Sequence, residues 1–207
     1  TYKNGGDICH LCELIEGEFL KNTSAIFEMT INEKRRSKIK SNHSATHLLH
    51  KSLKSVLGNH VQQAGSLVSD DKLRFDLTHY EKLTQNEILE IENNVNKYIM
   101  QNLEVDISNE KYDKAKKMGA EALFGEKYGD IVRVVNIGGS SIELCGGTHV
   151  ERSGDIGFFK IISESALASG VRRVEAVTGS KAFTFVSDNM KVIDNIKQKL
   201  NCNIEDI

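Results

Sequence analysis

Apolar residues recur every three or four positions between residues 33 and 57, and this spacing predicts a long amphipathic helix. Gly58 follows the last of them and can supply the left-handed conformation that commonly ends a helix. A second helix is predicted to begin at Thr84, because Thr84 and Glu87 have the spacing of a capping box. Its apolar stripe, which core packing explains most simply, comprises Ile88, Ile91, Val95 and Ile99.

Short apolar runs between turn residues predict strands in the rest of the chain. The predicted strands cover residues 8–15, 25–31, 66–68, 73–77, 105–107, 131–135, 142–144, 156–162 and 171–177. Asp70 and Asp71 form the turn of a predicted hairpin over residues 65–77. A short helix over residues 112–123, interrupted by Gly119, and a polar helix over residues 180–200 complete the prediction. Helices flanked by hairpins indicate an α+β fold with a mainly antiparallel sheet.

Composition and charge exclude several classes of protein. The 207 residues include 27 basic and 29 acidic side chains, and the formal net charge is −2. No run of about 18 apolar residues occurs, which excludes a transmembrane helix, and the near-neutral balance excludes a strongly basic nucleic-acid binder. The charge is uneven, because residues 32–60 contain seven Lys and Arg and one Glu, a net +6. This segment is either a solvated helix face or a surface that faces phosphate groups.

Two short motifs contain candidate metal ligands. His43 and His47 are four positions apart in the first predicted helix, so they project from one face and can share an ion. Cys145 and His149 flank a Gly-Gly-Thr sequence after a predicted strand, where the glycines allow a tight loop. Together these side chains form a complete donor set for tetrahedral Zn²⁺. The glutamate of an HExxH motif is absent, which excludes a metalloprotease of that type.

The other cysteines do not complete a second metal site. Cys9 and Cys12 form a CxxC pair in a strand-like segment without a second half-site, and we interpret them as incidental. Cys202 is a lone cysteine near the end, and we assign it no role. The polar start of the chain contains no secretory signal, which favours free thiols and a cytoplasmic location. The first residue is not Met, and we expect the chain to be part of a longer protein.

Longer stretches around the two motifs resemble the editing domain of alanyl-tRNA synthetases. The resemblance rests on residues 42–50 (NHSATHLLH) and on residues 143–150 (ELCGGTHV). It continues, in the order and spacing of that family, through residues 65–66, 73–76, 122–128, 154–157, 161–165 and 170–179. The editing domain of threonyl-tRNA synthetase and free-standing alanyl editing proteins share the HxxxH and CxxxH pattern. The Cys-Gly-Gly-Thr-His version and the flanking matches favour the alanyl family.

The resemblance implies a domain organisation and a function. Residues 1–31 would end a small β-barrel, residues 32–182 would form a zinc-dependent editing domain, and residues 183–207 would begin a helical linker. Nothing resembles the aminoacylation core of such enzymes. The implied reaction is hydrolytic deacylation of tRNA(Ala) mischarged with serine or glycine. The implied partners are the acceptor end of tRNA(Ala) and the other domains of the synthetase, whereas DNA and membranes are not expected as partners.

The resemblance also implies roles for individual residues of the catalytic site. The four motif residues would hold Zn²⁺: His43, His47, Cys145 and His149. With all four bound the site would be closed, like a structural zinc site, whereas with one ligand loose a water or the substrate could enter. The ion would polarise the ester carbonyl, activate a water or orient the substrate. Gln63 is the candidate for recognition of the substrate near the ester. Thr46 either lines the pocket or packs within its helix. Asp76 either supports a ligating histidine or caps the hairpin, and we favour the cap.

Phosphate contacts with tRNA are expected from the basic segment and from one arginine pair. The candidates are Lys51 and Lys54 in the first helix, with Arg172 and Arg173 in the last predicted strand. Neighbouring residues of a strand point to opposite faces, so only one of the two arginines can face the site.

Two other functions are consistent with the sequence. The first is a catalytically inert, zinc-stabilised module that binds RNA or another part of its own chain. Gln63 argues against it, because a purely structural zinc site has no need of that glutamine. The second is editing of seryl-tRNA(Thr), which differs in the tRNA partner alone.

Overall fold

The computed structural model describes residues 2–5, 7–13, 15–18, 28–122 and 128–201. The chain divides into two compact units, Thr1–Ile31 and Asn32–Ile207. The first unit contains an antiparallel pair of short strands, β1 (Tyr2–Asn4) and β2 (Asp7–Cys9). The strand predicted over residues 8–15 therefore ends early. Of the strand predicted over 25–31, residues 25–27 lie outside the described residues and residues 28–31 are not in a strand.

The second unit alternates helices with antiparallel hairpins. Its helices are α1 (Glu33–Leu57), α2 (Gln85–Met100), α3 (Tyr112–Lys117) and α4 (Gly179–Leu200). Its strands are β3 (Gln63–Val68), β4 (Leu73–Thr78), β5 (Val105–Lys111), β6 (Ile131–Ile137), β7 (Ser141–Leu144), β8 (Phe159–Ala168) and β9 (Val171–Thr178). They form a four-stranded sheet in the order β3-β4-β9-β8 and a three-stranded sheet in the order β5-β6-β7. All of these pairings are antiparallel, which confirms the α+β prediction.

Helices α1 and α2 begin at the side-chain caps that their sequences provide. The side chain of Asn32 accepts a hydrogen bond from the backbone N–H of Arg35 at the start of α1. Thr84 and Glu87 form the predicted reciprocal capping box of α2. Such caps satisfy backbone N–H groups that have no partner within the helix. At the other end of α1, Gly58 has φ +111° and bonds back to Lys54, as its position in the sequence indicated.

One hydrophobic core joins α1, α2 and both sheets. Its largest fully buried side chains include Leu48 and Leu49 of α1, Phe75 of β4 and Ile91 of α2. Ile137 of β6 belongs to the same core. The other face of β6 packs on a smaller apolar cluster comprising Ala115, Ala120, Val132, Val134 and Leu144. The three-stranded sheet is therefore fixed from both faces, and the loop after β7 is held against α1.

Several element boundaries differ from the prediction, and two of them have a local cause. The helix predicted over residues 112–123 ends at Lys117, because Gly119 has φ +83° and turns the chain. The strand predicted over 156–162 begins at Phe159, since Ser153–Ile156 forms a short 3₁₀ turn. Within the described residues no helix is both long and apolar enough to cross a membrane.

Candidate metal centre

The two predicted motifs meet between α1 and the loop that follows β7. His43, His47, Cys145 and His149 each offer one ligand atom, and these atoms all lie within 4.8 Å of one another. His43 and His47 are on successive turns of α1, where their i, i+4 spacing places them on one face. Cys145 directly follows β7, and its backbone N–H donates to the carbonyl of Arg133 on β6. The position of Cys145 at the end of β7 therefore places its thiol next to α1.

The distances around the thiol fit a tetrahedral Zn²⁺ site. The Sγ atom of Cys145 lies 3.4 Å from Nε2 of His43 and 3.3 Å from Nε2 of His149. Usual Zn–S and Zn–N bond lengths at tetrahedral angles separate sulfur from nitrogen by about 3.5 Å. The backbone N–H of Gly147 also points at Sγ, at 3.4 Å, and such a donor stabilises a thiolate. The donor set, three imidazoles and one thiol, is one that Zn²⁺ prefers.

The outward ring nitrogens of His43 and His149 have hydrogen-bond partners that orient the rings, and that of His47 lies near a carboxylate. Nδ1 of His149 lies 3.0 Å from the hydroxyl of Ser44. His43 donates to the backbone carbonyl of Thr148. Nδ1 of His47 lies 3.6 Å from Oε2 of Glu143. A proton on the outward nitrogen leaves the inward Nε2 with a lone pair for a metal, and this is how ligating histidines are usually held.

Burial keeps the imidazoles neutral. It lowers the pKa of His43, of His47 and of His149, the last to about 3. The positive charge of Arg133 acts in the same direction on all three rings. Because a metal binds neutral imidazole, protons compete weakly for these ligand atoms near neutral pH.

A buried carboxylate behind the centre was not predicted from the sequence. Burial raises the pKa of Glu143, opposed by its hydrogen bond with His50. Its Oε1 atom lies 3.2 Å from Nδ1 of His50 and 3.3 Å from the hydroxyl of Ser141. Nε2 of His50 in turn lies 3.6 Å from Glu121. The spacing of these residues could have indicated this contact. Glu143 precedes Cys145 by two residues along a strand, and His50 follows His47 by three in a helix, so each lies on the same face as a candidate ligand.

Gly147 fills a position that admits no side chain. A Cβ atom built there would lie 2.0 Å from Cε1 of His43. At the neighbouring Gly146 a Cβ atom would meet nothing within 4 Å. Gly147 therefore allows the close approach of the loop to α1, whereas Gly146 does not have this role.

The two candidate catalytic residues, Gln63 and Thr46, are not part of the group of candidate ligands. Gln63 is the half-buried first residue of β3, and its side chain makes no hydrogen bond with the described residues. Thr46 is buried, and its hydroxyl donates to the carbonyl of Asn42 one turn earlier in α1, at 2.8 Å. That bond is the one expected of a threonine that packs within its helix.

Three of the four residues proposed to contact tRNA are paired with carboxylates of the chain. Arg172 lies 2.5 Å from Glu164, and Arg173 forms two hydrogen bonds with Asp76. Lys54 lies 2.7 Å from Glu121, whereas Lys51 is exposed. The two arginines use different carboxylates on opposite faces of β9, as strand alternation requires.

Asp76 has neither of the roles considered for it. It lies within β4 and pairs with Arg173 across the sheet, so it caps no hairpin and touches no candidate ligand. Cys9 and Cys12 are not part of the candidate metal group found among the described residues. Cys202 lies outside the described residues.

Comparison with known proteins gives a consistent match. Residues 132–175 match the family model described as threonyl and alanyl tRNA synthetase second additional domain. The chain is 52% identical over 203 residues to the alanine–tRNA ligase of Acetivibrio thermocellus, covering 98% of the chain and 23% of that protein. It is 48% identical over 202 residues to the alanine–tRNA ligase of Thermotoga maritima, again covering 98% of the chain and 23% of the relative.

These relatives are much longer than the chain. The chain spans about a quarter of their length, and the alanine–tRNA ligase of Caldicellulosiruptor saccharolyticus, 49% identical over 198 residues, is covered to 22%. The matched family segment contains Cys145 and His149, and the wider match contains His43 and His47. The chain therefore belongs to the alanyl-tRNA synthetase family, of which it is an editing-domain segment.

Proposed function

We propose that this chain hydrolyses the ester bond of tRNA(Ala) that carries serine or glycine in place of alanine. The observation that carries the proposal is the meeting of the HxxxH and CxxxH side chains within 4.8 Å in a chain of this family. Three neutral imidazoles and a thiol gathered around one point match the donor chemistry of Zn²⁺.

The need for such a reaction follows from the limits of selection by a binding pocket. A pocket shaped for alanine rejects serine poorly, because one added hydroxyl in an apolar site gives only limited discrimination. A smaller amino acid such as glycine also fits. A second site that cleaves the wrong ester raises the accuracy of the overall process beyond what the first site achieves.

Two of the four candidate ligands are more deeply buried than the other two. His47 and His149 are buried, whereas His43 and Cys145 are half-buried. The substrate ester would therefore approach from the side of His43 and Cys145. With one of the four ligand positions open, a bound Zn²⁺ would supply a Lewis acid for the ester carbonyl or for the attacking water. Ser44 and Thr148 hold the rings of His149 and His43 from behind, and Glu143 lies 3.6 Å from Nδ1 of His47.

Gln63 remains our candidate for contact with the substrate. Its side chain is half-buried and uses none of its donors or acceptors on the described residues. Thr46 is given no part in the chemistry, because its hydroxyl is already bonded within α1.

The function is tested by deacylation assays with a set of charged tRNAs. We expect Ser-tRNA(Ala) and Gly-tRNA(Ala) to be hydrolysed faster than Ala-tRNA(Ala), and the activity to be lost in Cys145→Ala. Circular dichroism of both proteins controls for folding. Faster hydrolysis of Ser-tRNA(Thr) would indicate threonyl-type editing instead. No hydrolysis by a folded, zinc-loaded chain, alone or with the rest of the synthetase added, would indicate an inert zinc-stabilised module.

A further inference from the structure

Arg133 on β6 is bonded to the candidate metal centre at two points. Its Nη1 atom donates to the backbone carbonyl of Cys145 at 2.6 Å. Its own carbonyl accepts from the backbone N–H of Cys145 at 3.1 Å. The guanidinium group is therefore held within one residue of the candidate zinc-binding thiol.

The charge of Arg133 is not balanced by a carboxylate among the described residues. Three other partly buried arginines each have one: Arg74 lies 3.5 Å from Asp76, Arg173 2.7 Å from Asp76, and Arg172 2.5 Å from Glu164. In the described part of the chain Arg133 forms no ion pair and donates to one carbonyl only. A guanidinium has five N–H donors, so four remain for other partners. The half-buried guanidinium therefore has donors available to an anion.

The positive charge of a metal ion at the neighbouring centre would further favour the binding of an anion beside Arg133. A Zn²⁺ ion bound by one thiolate and three neutral imidazoles keeps a net charge of +1, and Arg133 adds another. The nearest carboxylate of the centre, Glu143, contacts His47, His50 and Ser141 instead. The charge of Arg133 also reaches the imidazoles, where it assists burial in lowering their pKa.

We propose that Arg133 binds an anionic oxygen of the aminoacyl-tRNA substrate. The inference rests on the proposed function. Two sources offer this chemistry: the phosphate of the terminal nucleotide, and the ester carbonyl oxygen, which gains negative charge as water attacks. The planar fork of a guanidinium suits either, because it presents paired donors to neighbouring oxygens.

Arg133→Gln tests the proposal because it removes the charge and keeps a polar amide with N–H donors. Arg133→Lys keeps the charge without the fork. Arg152→Gln is the matched control, since Arg152 also donates to a backbone carbonyl, that of Asn102, at 2.6 Å. Zinc content and thermal melting are measured for every variant. Binding of uncharged tRNA(Ala) is measured as a function of salt, and kcat and KM are measured with Ser-tRNA(Ala) and with seryl-adenosine, which has no phosphate.

A phosphate contact predicts that Arg133→Gln weakens tRNA binding about 10- to 100-fold and lowers the salt slope by about one. It also predicts a raised KM for Ser-tRNA(Ala), no change with seryl-adenosine, and partial recovery in Arg133→Lys. A contact with the ester oxygen predicts that kcat falls by a similar factor for both substrates while tRNA binding is unchanged.

Arg133→Gln behaving like wild type and Arg152→Gln in all three assays would overturn the proposal. If the wild-type chain hydrolyses no ester, the proposed function fails, and the tRNA-binding comparison alone decides the role of Arg133. If Arg133→Gln does not fold, Arg133→Met, which also removes the charge, decides in its place, and unchanged tRNA binding and kinetics in that variant overturn the proposal.

Discussion

A Cβ atom on Gly147 would lie 2.0 Å from Cε1 of His43, although the two residues belong to different elements of the fold. No pair of atoms can remain at that separation without a bond. The absence of a side chain at Gly147 is therefore what lets a loop from the three-stranded sheet close over a helix that carries two candidate ligands. The geometry of the centre depends on this contact as much as on the ligands.

Gly147→Ala is expected to displace His43 and weaken Zn²⁺ binding by at least tenfold. Gly146→Ala is the matched control, because a methyl group there meets nothing within 4 Å and the backbone does not have a positive φ. Competition with a chromophoric chelator gives the zinc affinity of each variant, and circular dichroism reports folding. Equal zinc affinity in the two variants would show that the approach of loop and helix is not required.

Glu143→Gln is expected to weaken Zn²⁺ binding about 10- to 100-fold, because the negative charge 3.6 Å from Nδ1 of His47 favours a proton on that nitrogen and a free lone pair on Nε2. Glu110→Gln is the control, since Glu110 lies on β5 of the same sheet and pairs with Lys114 instead. The absorption spectrum of the Co²⁺-loaded protein should shift in Glu143→Gln and stay unchanged in the control. Identical spectra and affinities in all three proteins would argue against a positioning role.

The metal-free chain is expected to lose stability as the pH falls below 6.5. Burial lowers the pKa of His43, His47 and His149 in the folded state, so below 6.5 the unfolded chain binds more protons than the folded one. Stability is then fully present above pH 6.5 and declines by about 1.4 kcal/mol per pH unit for each histidine that stays neutral. For His149 the decline extends to about pH 3.

Urea unfolding of the metal-free chain between pH 7.5 and 5 measures this dependence. In His149→Asn the slope of unfolding free energy against pH should fall by the contribution of one histidine. A slope that is flat in the wild-type chain, or that is the same in both proteins, would contradict the assignment of buried neutral imidazoles.

Thr84→Ala is expected to reduce the free energy of unfolding by about 1 kcal/mol, because it removes the side-chain cap of α2. Thr84→Ser keeps a hydroxyl and should retain most of the stability. Thermal melting measures both, and zinc affinity should be the same in both, since α2 contributes no candidate ligand. A change of less than a few tenths of a kcal/mol in Thr84→Ala would show that the cap is dispensable.

Sequence patterns predicted the features that depend on local spacing. The bounds of α1, the capping box of α2 and the meeting of His43 with His47 all follow from periodicity within one helix. The helix predicted over residues 112–123 was too long because a single glycine, Gly119, was treated as an interruption and not as an end.

Features that depend on which strands become neighbours were not predicted. The pairing of Asp76 with Arg173 requires β4 and β9 to lie side by side in one register, although they are almost a hundred residues apart. Glu143 reaches His47 only after β7 packs against α1. Local propensity contains no information on either distance, whereas the order and register of the strands determine both.

The dependence of editing on the metal centre is the central claim, and one experiment tests it most directly. The chain is stripped with a chelator, and hydrolysis of Ser-tRNA(Ala) and circular dichroism are followed in the same sample before and after Zn²⁺ is returned. We expect hydrolysis to stop while most of the fold persists, and to recover when Zn²⁺ is added. Hydrolysis that continues at the same rate in the metal-free, folded chain would contradict the claim.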